Sequence, residues 1–397
     1  MPTSLRLLLA VALLATALRP GAAAAAPPAL PAPAPAPIDP ARVDTAAAAF
    51  MQRYRVPGMV IGISHNGQQR FYSYGVASKA TLAPVTPDTL FELGSISKTF
   101  TATLATYAQA RGALSLQDPV GTYLPGLADR PIGNVPLWQL ATHSAGGFPL
   151  QFPDTVKIDA DAMRYYQQWT PSYTGGEQRS YANPSIALLG VVAAQALKLP
   201  FQRAMQGTLY PKLGLTSTWL RVPQSQRGRY AQGYNAADVA VRLNPGPLAE
   251  EAYGMRSSAR DLLHFVELNI APATGDPALD KALRDTQVGR FEVGPMTQAL
   301  VWEQYRYPLA LEALLEGNSD QMAYHDNPTT PIAASLLPQK DWLYNKTGGT
   351  GGFASYAAFI PSRQIGIVIL TNKSHPNEGR VRLAYALLEA LSAKSID

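Results

Sequence analysis

Between Asp39 and Tyr54 apolar side chains recur at helical spacing. Val43, Ala47, Phe50 and Tyr54 form one stripe, with Asp39 placed to cap the helix and Pro40 in its first turn. β-Branched and aromatic residues then dominate Gly58 to Ser64 and Arg70 to Val76, and Asn66-Gly67 between them is a hairpin signal. Helical spacing returns at Phe100, Leu104 and Tyr107, and Gly112 sits where that helix stops. From Gly112 to about Arg221 the pattern is helix and loop, broken by Gly and Pro. Its clearest element is an apolar helix from Ser185 to Leu197, closed off by Pro200. Strand patterns come back at Trp342 to Thr347, Gly352 to Ile360 and Ile365 to Thr371, followed by a closing helix from about Arg380 to Leu391. These elements predict an α/β fold: an antiparallel sheet built from both chain ends and flanked by helices, with an inserted, mostly helical domain. The α/β part comprises residues 39–111 and 226–397, and the insertion residues 112–225.

The first residues follow a different rule. Arg6 supplies positive charge, Leu7 to Leu18 is an unbroken apolar run, and small residues occupy Gly21 to Ala26. Residues 1–26 are therefore predicted to be an export signal, cleaved within Ala22 to Ala26. The run is shorter than the ~20 residues a membrane span requires. A Pro/Ala-rich leader follows in residues 27–38. The expected location is the periplasm, with no membrane anchor after cleavage.

Composition narrows the chemistry. The 397 residues are 47% hydrophobic and 15% charged, which is globular. The net charge of +5 includes Arg6 and Arg19, and the absence of any Lys/Arg block argues against a nucleic-acid partner. With no cysteine, the chain has no disulfide, thiolate metal site, cysteine nucleophile or lipid-modified cysteine. His65, His143, His264, His325 and His375 are scattered without metal-ligand spacing and read as packing or surface residues, so neither metal nor cofactor is expected. No G-x-S-x-G elbow accompanies them. No long apolar stripe demands a partner, and a monomer is expected.

What remains is a set of polar residues placed at element ends. Ser95 and Lys98 stand three apart where a helix begins, and that spacing puts both on one face. A hydroxyl beside an amine at a helix N-terminus can become a nucleophile, because the dipole favours developing negative charge and the amine relays the proton. Alone, the pair equally fits a helix start with a solvated lysine. Tyr181 and Asn183 lie in an extended loop before the Ser185 helix and point the same way. Nearby ammonium groups would lower the tyrosine's pKa enough for it to act as a base. An isolated Tyr-x-Asn also fits a loop tyrosine with a capping asparagine. On the strand from Trp342, Lys346 and Gly348 share a face, so Lys346 can reach a cleft as a fixed cation. The bare backbone at Gly348 admits a close neighbour, and the strand edge can pair with an amide. Asn377 and Arg380, at the start of the last helix, make a carboxylate clamp or a surface ion pair.

Taken together and in order, Phe91 to Phe100, Thr142 to Pro153, Tyr181-Ala182-Asn183, Glu251-Ala252-Tyr253-Gly254 and Lys346 through Pro361 resemble the class C serine β-lactamases, the chromosomal-type cephalosporinases. The likeness runs from roughly Ile38 to the C-terminus. It implies a β-lactamase/transpeptidase-like fold and a small-molecule β-lactam as substrate. Ser95 is implied as the acylated nucleophile, Lys98 and Tyr181 as the proton-handling pair, and Lys346 as a second cation beside Tyr181. The backbone N–H groups of Ser95 and Gly349 are implied as an oxyanion hole. Gln151 and Asn183 would hold the substrate's side-chain amide, Thr347, Asn377 and Arg380 its ring carboxylate, and Tyr253 would line the pocket. Two positions depart from the family: Gly349 replaces the usual alanine or serine, and Glu378-Gly379 stands where a proline and a small residue are common. Glu267-Leu268-Asn269 lacks the E-x-x-L-N spacing of class A enzymes and is assigned to an ordinary helix. Two alternatives share the nucleophile: a D,D-peptidase or esterase of the penicillin-binding-protein-like group, and a non-hydrolysing β-lactam-binding sensor.

Overall fold

The computed structural model describes residues 38–392. The export signal and the leader up to residue 37 lie outside the described residues. Ile38, assigned to the leader, is 5% exposed and packs with the first helix, so the packed residues include at least one that its capping pattern left out.

Helix α1 (Pro40–Tyr54) begins as the cap predicts, with Asp39 accepting from the Ala41 N–H, and it buries Val43, Ala47 and Phe50. Strands β1 (Gly58–His65) and β2 (Gln68–Gly75) form the hairpin, with Asn66 and Gly67 both at positive φ in the turn. After helix α2 (Ser97–Ala110) and helix α3 (Asn183–Ala196), helix α4 (Ala259–Ile270) packs across the sheet. The remaining strands of that sheet are β3 (Gly289–Val293), β4 (Met296–Gln298), β5 (Glu303–Arg306), β6 (Thr330–Leu336), β7 (Trp342–Gly349), β8 (Ala354–Ile360) and β9 (Ile365–Thr371). Helix α5 (Asn377–Ser392) ends the described chain.

Within these residues the sheet is nine-stranded, in the order β6-β3-β4-β5-β7-β8-β9-β1-β2, with every pairing antiparallel. Its centre is apolar on both faces. Ile365, Ile367 and Ile369 of β9 pack with Val43, Ala47 and Phe50 of α1 and with Val381, Ala384 and Leu388 of α5. Val368 and Leu370, on the other face, join α2, α3 and α4 in a second core. That alternation explains why β9 reads as an unbroken hydrophobic run. The sheet thus separates two helical layers, and the alternate residues of β7 that face α2 are Tyr344, Lys346 and Gly348.

The expected fold class holds. Strands β3 to β6 were not foreseen, and they extend the sheet beyond the chain ends. They are short or interrupted by polar residues, so their periodicity is weak. The Tyr-x-Asn segment also differs: Asn183 is the first residue of α3, and only Tyr181 and Ala182 precede the helix. Pro184 in the first turn explains the early start, because its missing N–H costs nothing there.

Candidate active site

Ser95 lies in a tight turn, Gly94–Ile96, that runs directly into α2. The turn is pressed onto the end of β7. A Cβ at Gly348 would fall 2.0 Å from the Leu93 carbonyl oxygen, and one at Gly94, where φ is +53°, would fall 2.4 Å from the Gly349 nitrogen. Only bare backbone permits that approach. Ser355 on β8 secures it by donating to the Leu93 carbonyl at 2.7 Å. The main-chain N–H groups of Ser95 and Gly349 therefore belong to segments in direct contact.

Beneath Ser95, the fully buried Lys98 donates from Nζ to Ser95 Oγ at 2.9 Å and to the Ala252 carbonyl at 3.2 Å. The same face of α2 secures the segment from Glu251 to Met255. Thr101 Oγ1 donates to the Glu251 carbonyl at 2.6 Å, and Ser97 Oγ accepts from the Met255 N–H at 3.1 Å. That fastening sets Tyr253 against the cleft.

Tyr181 is surrounded by cations: Lys98 Nζ, Lys346 Nζ and the Arg179 guanidinium carbon lie 5.3, 5.0 and 5.2 Å from its ring centre. Burial pushes its phenol up, but Lys346, Lys98 and the Ser95 hydroxyl outweigh that and bring the pKa down to about 8. Burial likewise lowers Lys98, to about 8; the Tyr181 phenolate opposes this and Lys346 adds to it. The two groups titrate together, so the first proton lost belongs to the pair rather than to either residue.

The cations are themselves held. Glu303 of β5, buried at 4% exposure, accepts from Arg179 at 3.1 Å and from Lys346 at 3.4 Å. Arg179 also donates to Gln298 Oε1 at 2.6 Å and to the Met322 carbonyl at 2.7 Å. Neither Arg179 nor Glu303 was singled out from the sequence. Arg179 carried a signal, because it precedes Tyr181 by two residues and shares its side of an extended segment. Glu303 carried none, since its strand was not recognised.

The residues expected to face a substrate also converge. Asn183 Nδ2 donates to Gln151 Oε1 at 2.9 Å, leaving the buried Asn183 Oδ1 without a protein partner. Arg380, 4% exposed, donates from Nη2 to Asn377 Oδ1, while its Nε and Nη1 have no partner among the described residues. Burial lowers this guanidinium to about 10, with Tyr356 opposing. Such a group gains strongly from an incoming carboxylate. Asn377 Nδ2 donates to the Asn318 carbonyl at 3.3 Å, which brings the segment around Asn318 into the site unforeseen. A cleft of about 610 Å³ is lined by Ser95, Gln151, Tyr181, Asn183, Tyr253, Lys346, Thr347, Gly349, Asn377 and Arg380, with Lys98 below its floor. The structure thus gathers every residue singled out for the site. The edge of β7 that faces β5 is unpaired past Asn345, where the β5 ladder ends, so the backbone from Lys346 to Gly349 is open to a ligand amide on that side.

The two glycines among the local departures meet different surroundings. A Cβ at Gly349 would make only ordinary contacts, 3.7 Å from the Phe353 carbonyl oxygen and 3.9 Å from Arg380 Nη2, so the site accommodates either residue. At Gly379 a Cβ would strike the Tyr54 ring at 2.5 Å; glycine lets α5 approach α1. Glu267 sits on α4, as expected, and accepts from Ser64 at 2.5 Å and Gln69 at 2.7 Å, away from the cleft.

A serine activated by lysine and tyrosine, beside a strand edge and a guanidinium, defines a serine acyl-transfer site on a sheet-and-helix scaffold. Comparison with known proteins resolves the family. The family model described as Beta-lactamase matches residues 43–392. A β-lactamase of Lysobacter lactamgenus is 48% identical over 349 residues, covering 88% of this chain and 91% of the relative. Among solved structures, the β-lactamase/D-alanine carboxypeptidase of Pseudomonas syringae superposes with a TM-score of 0.87 at 52% identity, over 88% of this chain and 98% of that one. A class C β-lactamase in complex with cefoxitin superposes with a TM-score of 0.85 at 40% identity, over 88% and 98% of the two chains. The chain belongs to the β-lactamase family, in its class C branch, and is a serine hydrolase.

Proposed function

We propose that this β-lactamase opens the ring amide of β-lactams, cephalosporins favoured, through an ester on Ser95. The observation that carries the assignment is the hydrogen bond of 2.9 Å from Lys98 to Ser95 Oγ, beside a phenol whose pKa is lowered by flanking cations.

In this reading the Lys98–Tyr181 pair, having lost one of its two protons, takes the proton of Ser95 as Oγ attacks the lactam carbonyl. The oxyanion is met by the N–H groups of Ser95 and Gly349. One such donor is typically worth about 2.7–4 kcal/mol in the barrier. The C–N bond breaks, the ring nitrogen receives the proton through Tyr181, and the serine ester remains. Water then attacks the ester and passes its proton to the Tyr181 phenolate; the acid product leaves and Ser95 recovers its hydrogen. Gln151 and Asn183 hold the side-chain amide, Tyr253 closes the pocket, and Thr347, Asn377 and Arg380 bind the ring carboxylate. The two free nitrogens of Arg380 support that last role.

Ser95→Ala tests the core of the reading: turnover of a chromogenic cephalosporin is expected to vanish while the melting temperature stays within a few degrees of wild type. Residual hydrolysis near wild type would remove Ser95 from the mechanism. The similarity to a protein described as a β-lactamase/D-alanine carboxypeptidase makes D-Ala-D-Ala peptide the second substrate to assay, alongside nitrophenyl esters. Faster turnover of the peptide than of the cephalosporin would reverse the order proposed.

The export signal read in residues 1–26 supports a periplasmic location, and we infer that the enzyme acts there as a monomer. Among the described residues no single helix is long and apolar enough to cross a membrane. The mass of the protein recovered from the periplasm, and its size in solution, test this part.

A further inference from the structure

We propose that His143 is a positioning residue for Tyr181, holding the peptide groups on both sides of it. The inference rests on the role given to Tyr181 above. The main-chain carbonyl of His143 accepts from the Ser180 N–H at 2.8 Å, and its imidazole Nδ1 accepts from the Ala182 N–H at 3.2 Å. One residue thus anchors positions 180 and 182, leaving Tyr181 between two fixed points. The imidazole also lies against the phenol, with ring centroids 4.4 Å apart at 46°. His143 is 2% exposed and adopts φ +60°, a conformation most side chains avoid. In the left-handed region its carbonyl and its ring both meet the strand end that precedes α3.

The hydrogen bond fixes the tautomer. Because Nδ1 accepts, the imidazole proton sits on Nε2, which is buried with no protein partner. The ring must also stay neutral. Burial, together with the charges of Arg179 beside Tyr181, Lys98 on α2 and Lys346 on β7, holds its pKa well below the ordinary range. An imidazolium here would lose the Ala182 hydrogen bond and add another cation against the phenol. The neutral ring instead packs against the phenol without adding charge. It leaves the Tyr181 ring centre 5.0 to 5.3 Å from Lys346, Arg179 and Lys98, of which Lys346 and Lys98 bring the phenol's pKa down.

His143→Phe keeps a ring and removes the acceptor, leaving the Ala182 N–H buried and unpaired. His143→Asn keeps an acceptor near the place of Nδ1 and tolerates positive φ. For the Phe variant kcat is expected to fall about tenfold to a hundredfold, the scale of a misplaced catalytic group, and the acid limb of kcat/KM to move to higher pH. For the Asn variant kcat is expected within a few-fold of wild type, with the limb unmoved. Equal losses in both variants, or a lower melting temperature with an unchanged pH profile, would reduce His143 to a packing residue and overturn the proposal.

A measurement on the wild-type protein stands apart from folding of the variants. Nitrogen-15 shifts of His143 are expected to show a neutral ring, protonated at Nε2, that does not charge at the ordinary histidine pH. A proton on Nδ1, or titration near pH 6.5, would contradict the arrangement. Failure of this test leaves the role of Tyr181 intact, whereas unchanged rates in Tyr181→Phe would remove that role without touching the tautomer.

Discussion

At the scale of single residues, the site is a balance of charges around one phenol. Lys346 is the largest influence bringing Tyr181 down against the opposing effect of burial, and it also lowers Lys98. Lys346→Met should therefore raise both groups. In the proposed mechanism the reactive form is the pair with one proton removed, so the acid limb of kcat/KM should move to higher pH, and activity at pH 7 should fall. A limb that stays in place, measured in buffers of constant ionic strength, would mean that Tyr181 and Lys98 do not govern it. The reactive side chains were legible in the sequence because each lies in a short motif at an element end. Their supports were not. Arg179 and Glu303 act through a buried ion pair between β5 and the segment before α3, more than a hundred residues apart. His143 looked like an ordinary packing histidine, since nothing local announces that its ring meets a backbone N–H so far along the chain.

At the scale of elements, reactivity depends on how closely the start of α2 is pressed to the end of β7. Gly94→Ala places a Cβ 2.4 Å from the Gly349 nitrogen at a positive φ and should force the two segments apart. The expected loss is about 10²–10³ in kcat, the typical effect of removing one oxyanion donor, in a protein that still folds. Gly349→Ala meets nothing closer than 3.7 Å and should retain activity within a few-fold. The opposite ranking of these two variants would place the oxyanion donors elsewhere. The helices α1, α2 and α3 and the strands β1, β2, β7, β8 and β9 could be read because each is amphipathic or continuously apolar. Strands β3 to β6 include residues such as Glu292, Gln298, Glu303, Gln304 and Pro331, whose polar or ring side chains hide the strand period. They join the sheet through its tertiary pairing, which a local pattern does not contain.

At the scale of the molecule, the cleft forms where the end of β7, α2 and the inserted helices meet, and building it leaves polar groups in costly places. Glu251, whose carbonyl takes the Thr101 hydrogen bond, has its side chain packed where a Cβ at Gly190 would lie 2.8 Å from it. Burial raises its carboxyl to about 8, with its own backbone N–H opposing and Asp159 and Glu250 reinforcing. A carboxyl raised on folding contributes stability that is fully present below its ordinary value of 4.5 and is lost as pH rises through about 8. Relative to wild type, Glu251→Gln should therefore melt at a similar temperature at pH 4.5 and at a clearly higher one at pH 8. A difference independent of pH would show that the carboxyl is not buried as protonated acid. The account as a whole stands on Ser95 forming an ester that Tyr181 helps to discharge. The most direct measurement is intact-protein mass spectrometry of Tyr181→Phe mixed with a cephalosporin, followed by peptide mapping. An adduct on the peptide containing Ser95, decaying orders of magnitude more slowly than the wild-type intermediate, is the expected result. An adduct on any other residue, or an ester that decays at the wild-type rate, would contradict it.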